Sequence, residues 1–264
     1  MVSVVDHWFF RCRTARPGIH GLRGTPGQTW SLANEESVMP ATGWKPFTLD
    51  DPDAAELGDD IVFGAAIPGE AELRLIGDLE GRRVLELGCG AGHNAVRMAQ
   101  RGAKVIAVDP SAEQIARARA AADAAEVKIE LHTGELADLA FLRAEGIDVA
   151  LSAYGFVGVD DVARLIRQVH RVLRQEAPLI ISLPHPALRL IHPAAAEPLH
   201  IRRSWFEATP TVAELFTMLS RNNYRVDVMA EPAASMAHPP KSGWADVLRY
   251  VPPTMILRAR KQGL

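Results

Sequence analysis

Between residues 70 and 183, short apolar runs alternate with stretches in which apolar residues return every three or four positions, which predicts successive β-α units. Val84 to Leu87 runs into glycines and predicts a first strand; Asn94 to Arg101 follows with helical spacing until Gly102 stops it. Lys104 to Val108 predicts the second strand, closed by Asp109-Pro110, and Ser111 can cap a helix running through Gln114, Ile115 and the alanines to about Ala125. Val127 to Leu131, Ile147 to Ser152 and Leu179 to Leu183 predict the third, fourth and fifth strands. Between the last two, Val159 to Arg174 carries Val162, Leu165, Ile166, Val169, Val172 and Leu173 on one helical face. Strands alternating with helices in this way give a parallel sheet with right-handed crossovers.

The flanks have another texture. Residues 1–65 are rich in Gly, Pro and tryptophan (Trp8, Trp30, Trp44) and have no sustained period, whereas the chain after Pro184-His185-Pro186 passes through a mixed segment to strand-like runs. A net charge of −3 gives no electrostatic reason to expect a nucleic-acid partner. The only cysteines, Cys12 and Cys89, lie far apart, and Cys89 sits inside a glycine turn, which argues for a reducing compartment rather than a disulfide framework. With no CxxC or HExxH, no metal site is expected. No apolar stretch is long enough to span a bilayer and Met1 to Arg13 lacks the layout of a signal peptide, so a cytoplasmic protein is expected.

The chemistry concentrates in Glu86-Leu87-Gly88-Cys89-Gly90-Ala91-Gly92. A strand that turns through glycines into a helix lets a ligand approach bare backbone, with helix N–H groups facing the crevice. Asp109, at the end of the second strand, points over the same crevice and can accept both hydroxyls of a ribose. The spacing is GxGxG rather than the GxGxxG that receives a pyrophosphate, and Glu86 precedes it. A carboxylate there repels phosphate and attracts an ammonium or sulfonium. A cationic, phosphate-free nucleoside fits best.

Val84 to Ser111, VLELGCGAGHNAVRMAQRGAKVIAVDPS, resembles motif I and the acidic loop of class I, Rossmann-like S-adenosylmethionine-dependent methyltransferases, and is most similar to their small-molecule branch that includes the ubiquinone and menaquinone biosynthesis enzymes. The resemblance continues through Gly134-Glu135-Leu136, Asp148 to Ser152 and the helix at Val169 to Leu173. It implies a three-layer α/β/α, doubly wound, mostly parallel seven-stranded sheet whose last strand is antiparallel, the sixth and seventh strands coming from Tyr224 to Glu231 and Thr254 to Arg260. With the texture of the flanks, this divides the chain into an aromatic-rich N-terminal cap (1–65), which itself matches no family pattern, a cofactor-binding core (66–183), a cap insertion (184–209) and a C-terminal completion of the sheet (210–264).

The resemblance also implies roles. Glu86, Gly88, Gly90 and Gly92 would line the amino-acid end of S-adenosylmethionine, Cys89 and Asn94 would also belong to the cofactor site, Asp109 would bind the ribose, and Pro110 and Ser111 would flank the adenosine. Gly134, Glu135 and Leu136 would meet the adenine, and Ser152, Ala153 and Tyr154 would face the sulfonium methyl. Phe63-Gly64 resembles an upstream loop that closes over the cofactor. One departure stands out: Gln175-Glu176-Ala177 replaces the usual Pro-Gly-Gly before the fifth strand.

Methyl transfer needs alignment and exclusion of water, with a general base where the acceptor must lose a proton. His185, fixed between two prolines just beyond the fifth strand, is the candidate base, with Tyr154 lining the pocket; His93, in the turn, is expected against the cofactor, and His170 in a structural role. Trp8, Trp30, Trp44, Trp205, Trp244 and Phe206 lie outside the sheet, and some of the tryptophans are expected to close a partly apolar acceptor pocket. The expectation is thus a methyltransferase, monomeric or homodimeric, acting on an O, N or C atom of a small-molecule acceptor and releasing S-adenosylhomocysteine. The alternatives are an NAD(P)-dependent oxidoreductase and a non-catalytic S-adenosylmethionine-binding protein.

Overall fold

A computed structural model describes residues 58–64, 67–187, 211–235, 248 and 250–263, all within the compact unit Met39–Leu264. The element order is α1 (Glu70–Leu73), β1 (Arg83–Leu87), α2 (His93–Gln100), β2 (Lys104–Asp109), α3 (Ala112–Ala124), β3 (Ile129–Thr133), β4 (Val149–Ala153), α4 (Val162–Val172), β5 (Pro178–Pro184), α5 (Val212–Arg221), β6 (Tyr224–Ala230) and β7 (Thr254–Lys261). The strands form one sheet in the order β3-β2-β1-β4-β5-β7-β6. Pairs from β3 through β5 are parallel, and β7 runs antiparallel to both β5 and β6, as the resemblance implies.

Two apolar layers cover the faces. Leu165, Ile166 and Val169 of α4 and Leu215 and Leu219 of α5 pack on one side with Leu85, Leu87 and Ile106. Ala95 and Met98 of α2 and Ile115 of α3 pack on the other with Val84, Val105 and the segment holding Ile61 and Phe63. β1 and β2 are buried on both faces, which is why they read as continuous apolar runs. The chain leaves β1 towards β2 and β3, then returns to β4 on the other flank. The order therefore reverses between β1 and β4, opening a crevice at their carboxyl ends.

Element ends follow local hydrogen bonding. Ser111 caps α3, its hydroxyl accepting from the Gln114 N–H at 3.3 Å. The third strand begins two residues later than the apolar run suggests because Val127 N–H returns to Ala122 O at 3.0 Å, with Glu126 left-handed (φ 55°), a Schellman exit from α3. Helix α4 starts at Val162, not Val159, because Asp161 caps it by accepting from Arg164 N–H at 2.8 Å. The fourth strand loses Ile147 and Asp148: Ile147 only bridges Leu173, while Asp148 accepts from Arg83 N–H at 2.9 Å. At the departure before β5, Glu176 takes the left-handed turn (φ 60°) that a glycine would adopt freely. Its N–H donates to Lys261 O at 3.1 Å, and its carboxylate meets Arg225 and Gln262.

Among the described residues, no helix is long and apolar enough to cross a membrane, and no group of three or more His, Cys, Asp or Glu could hold a metal ion. The five tryptophans and Phe206 lie outside the described residues.

Candidate functional site

The turn after β1 is built against β2. Gly88 and Cys89 N–H both donate to Val108 O, at 2.8 and 3.2 Å. Gly90 N–H donates to Asp109 Oδ2 at 2.8 Å, and Ser111 N–H to Oδ1 at 2.9 Å. Asp109 thus grips both the glycine turn and the start of α3 while keeping lone pairs for a ligand. On the other flank, a Cβ at Gly88 would lie 2.6 Å from the Gly155 Cα, and one at Gly155 only 2.1 Å from Leu87 O. Two backbones touch where β1 and β4 open, and only glycines permit it. Gly155→Ala is expected to cost about 1–3 kcal/mol through overpacking. A thermal melt checks this, and an unchanged midpoint would refute the tight approach.

Glu86 lies at the centre. Its side chain is only 2% exposed, and Oε2 has no hydrogen-bond partner. Burial foremost, then the nearby Asp109 charge, pushes its carboxyl up to about 8, against the pull of the Asn94 side chain and Ala95 N–H. Burial also raises the Cys89 thiol, and the Glu86 and Asp109 charges add to it. A buried carboxylate with an orphaned oxygen, beside a second acid, is a place prepared for a positive group.

A strap, residues 58–64, runs along α2. Asn94 holds Val62 from both sides, Oδ1 accepting its N–H and Nδ2 donating to its O, each at 2.9 Å. His93 Nε2 meets Asp60 O at 3.1 Å, Arg97 donates to Gly58 O at 3.0 Å, and Arg101 pairs with Asp60 at 2.6 Å. Burial lowers the His93 pKa, against the pull of the Asp60 carbonyl. At the far end of the strap, a Cβ on Gly64 would lie 2.6 Å from the Tyr154 hydroxyl, so the strap sits on Tyr154 and Thr254.

Tyr154 has left-handed backbone (φ 60°), an uncommon state for a bulky residue that marks functional positions. Its hydroxyl hydrogen-bonds Thr254 Oγ1, reaching from the end of β4 over β5 to the start of β7. Burial raises the phenol above its ordinary value.

The residues singled out in the sequence fall at one edge of the sheet, though their side chains divide. Glu86, the glycines and Asp109 converge. Gly134 joins them through its N–H to Asp109 O at 3.1 Å, leaving Glu135 exposed beside it. Ser152 is fully buried and donates to Leu87 O at 3.1 Å; its hydroxyl therefore ties β4 to β1 instead of facing the crevice. Phe63 and Leu136 are core residues that present only backbone, and Asn94 spends its amide on the strap. The base assigned to His185 has both ring nitrogens engaged: Nε2 on Glu231 at 2.9 Å, and Nδ1 accepting Ala187 N–H at 3.2 Å. In this arrangement it ties the ends of β5 and β6 and has no free lone pair for a proton. His170 meets Gln262 O at 3.2 Å and stacks edge-on against Tyr224, a structural setting.

Sequence reasoning missed Thr254, Glu231 and the strap contacts of Arg97 and Arg101. Their partners lie between 39 and 100 residues away, beyond the reach of any local pattern. A separate cavity of about 750 Å³, lined in part by Arg83, Lys104 and Lys128, lies at the opposite edge and contains none of these residues.

Residues 84–176 match the family described as methyltransferase domain. The chain is 31% identical over 111 residues to ubiquinone biosynthesis O-methyltransferase of Azorhizobium caulinodans, covering 42% of this chain and 44% of that one, so it spans less than half of that relative's length. An uncharacterized protein of Haemophilus influenzae is 26% identical over 218 residues, covering 72% and 85%. A solved S-adenosylmethionine dependent methyltransferase of Mesorhizobium loti superposes with a TM-score of 0.60 at 24% identity, covering 71% of this chain and 94% of that one, which is a likeness of fold.

Proposed function

We infer that this chain, a class I, Rossmann-like S-adenosylmethionine-dependent methyltransferase by family and fold, binds S-adenosylmethionine at the β1–β4 crevice and methylates an O, N or C atom of a small, partly apolar acceptor. The observation that carries this reading is the buried Glu86 carboxylate with its unpartnered Oε2 at the glycine turn. Once ionised it suits the ammonium of the cofactor's amino-acid end, a partner that a pyrophosphate cannot supply, which disfavours a dinucleotide.

When bound, the cofactor supplies an electrophilic sulfonium methyl. Asp109 uses its remaining lone pairs on the ribose hydroxyls, and Gly88, Cys89, Gly90 and Gly92 give the backbone room. Pro110 and Ser111 flank the adenosine, with Glu135 and the Gly134 and Leu136 backbone at the adenine. Ala153 and Tyr154, at the end of β4, face the acceptor side. The chain contributes mainly by holding the acceptor in line and shutting out water, a contribution of roughly 7–11 kcal/mol in well-oriented systems. Gly64, at the end of the described strap, sits on Tyr154 and Thr254, which supports an acceptor-side role for Ile61–Gly64. The O-methyltransferase named among the relatives favours oxygen as the acceptor atom.

Calorimetric titration with S-adenosylhomocysteine and with NADH tests the cofactor, and a panel of hydroxylated and amine acceptors with S-adenosylmethionine tests turnover. The thioether is expected to bind and NADH not. A chain that binds neither S-adenosylmethionine nor its product would end this reading.

A further inference from the structure

Among the described residues, Asn94 is the one side chain that hydrogen-bonds both Glu86, at the centre of the site, and the strap beside it. It is 4% exposed, and its Oδ1 and Nδ2 clasp the Val62 peptide in both directions. The carboxamide also stands against Glu86 and supports its ionised form, together with Ala95 N–H. A carboxamide has two donor hydrogens and one acceptor oxygen. One hydrogen serves Val62 O and the oxygen serves Val62 N–H, so a single hydrogen is left for Glu86. The strap beyond Val62 ends on Gly64, seated on the Tyr154 and Thr254 hydroxyls at the acceptor side.

We propose that Asn94 is a positioning residue that couples occupancy of the Glu86 site to the seating of the strap Ile61–Gly64. This rests on the reading that Glu86 receives the cofactor's ammonium. A cation at Glu86 fixes the carboxylate as an acceptor and orients the Asn94 amide towards it. That orientation is the one in which the same amide holds Val62, and Val62 places Gly64 over Tyr154. By reciprocity, a seated strap presents the amide to Glu86 and favours the cofactor. The device makes the acceptor-side cover follow the cofactor, so that the site closes around a loaded centre. The other groups facing Glu86 are Asp109 from β2 and Cys89 from the turn. Neither hydrogen-bonds the strap, Cys89 meeting Gly90 O and Asp109 accepting from Gly90 and Ser111, which leaves Asn94 as the hydrogen-bonded link among the described residues.

The test uses the full chain and S-adenosylhomocysteine as probe, titrated calorimetrically from pH 6 to 9. In the wild type, affinity is expected to rise about tenfold per pH unit until Glu86 is ionised, and binding is expected to slow hydrogen exchange of the Val62 N–H. Asn94→Leu removes the donor to Glu86, and Asn94→Asp keeps the size while adding a second negative charge. Each is expected to move the pH midpoint of binding upwards by about one unit or more and to abolish the ligand's effect on Val62. Arg101→Ala loosens the strap through Asp60 while keeping the Asn94 donor to Glu86, and is expected to weaken binding at every pH while moving the midpoint less than either Asn94 variant. The proposal is overturned if both Asn94 variants keep the wild-type midpoint, if Arg101→Ala shifts it equally, or if the wild-type affinity is independent of pH. A wild type without affinity for the probe at any pH removes the methyltransferase reading itself, and the coupling with it, which the variants alone cannot do.

Discussion

Glu86→Gln is expected to make the ligand-free protein more stable at pH 9 while weakening its hold on the cofactor. The carboxyl rises from its ordinary 4.5 to about 8 in the fold, chiefly through burial and then through Asp109. A folded value above the unfolded one means that the folded state prefers the protonated acid. The stability this confers is complete below about pH 4.5, falls as pH climbs towards 8, and is gone above it. At about 1.36 kcal/mol per pH unit the loss is on the order of 5 kcal/mol. Glutamine carries no charge to bury, although its amide must find partners beside Asp109, which returns some of the gain. The melting temperature of the variant should therefore exceed the wild type's at pH 9 and approach it at pH 5.

The same group governs binding. At pH 7 the free carboxyl is largely protonated, and an ammonium arriving there must displace the proton. Wild-type binding should release close to one proton, visible as different apparent enthalpies in phosphate and Tris buffers. The glutamine variant should release none and should bind roughly 10²-fold more weakly, the loss of a charge-assisted hydrogen bond together with its ion pairing. A wild type whose melting temperature at pH 9 matches the variant's would contradict the buried, unpartnered carboxylate.

The centre of the site was legible in the sequence because it is local. Glu86 and the three glycines lie within seven residues, and the β1 and β2 runs are apolar because both of their faces are buried. Asp109 was legible too, since the strand that carries it ends in Asp-Pro-Ser. What was hidden is of two kinds. Helix α1 has only four residues, too few to show a period, and it closes on Glu70, whose carboxylate accepts the Leu75, Ile76 and Gly77 N–H groups at 2.8 to 2.9 Å. Helix α5 did leave a mark, the capping box Thr211–Glu214, which a closer search for Thr-x-x-Glu finds. The second kind is long-range. That Ser152 serves Leu87, that His185 is occupied by Glu231 and Ala187, and that Asn94 grips Val62 depend on which loops meet above the sheet, and periodicity does not encode that. Side-chain roles read from a motif therefore divide by whether the fold has already claimed the polar atoms.

Asp109 shows the consequence most sharply, because its carboxylate serves the fold and the ligand at once. Were it a ribose acceptor alone, Asp109→Asn would be the mild variant, keeping one oxygen for a hydroxyl, and Asp109→Ala the severe one. The geometry expects otherwise. Oδ2 accepts Gly90 N–H and Oδ1 accepts Ser111 N–H, so an amide placed there satisfies one donor and turns its own N–H₂ against the other. A buried donor facing a donor costs about as much as a buried group left unpaired, on the order of 1–3 kcal/mol. Asn should then lower the melting temperature at least as far as Ala. Both variants should lose roughly 10²-fold or more in affinity for S-adenosylhomocysteine, since the glycine turn that faces the ligand loses its tether along with the ribose contact. Glu at this position keeps the charge but is one methylene longer, so it should recover part of the affinity and little of the stability. Melting curves and titrations of the three variants check the order. An asparagine variant that melts with the wild type and binds better than alanine would assign Asp109 to the ligand alone.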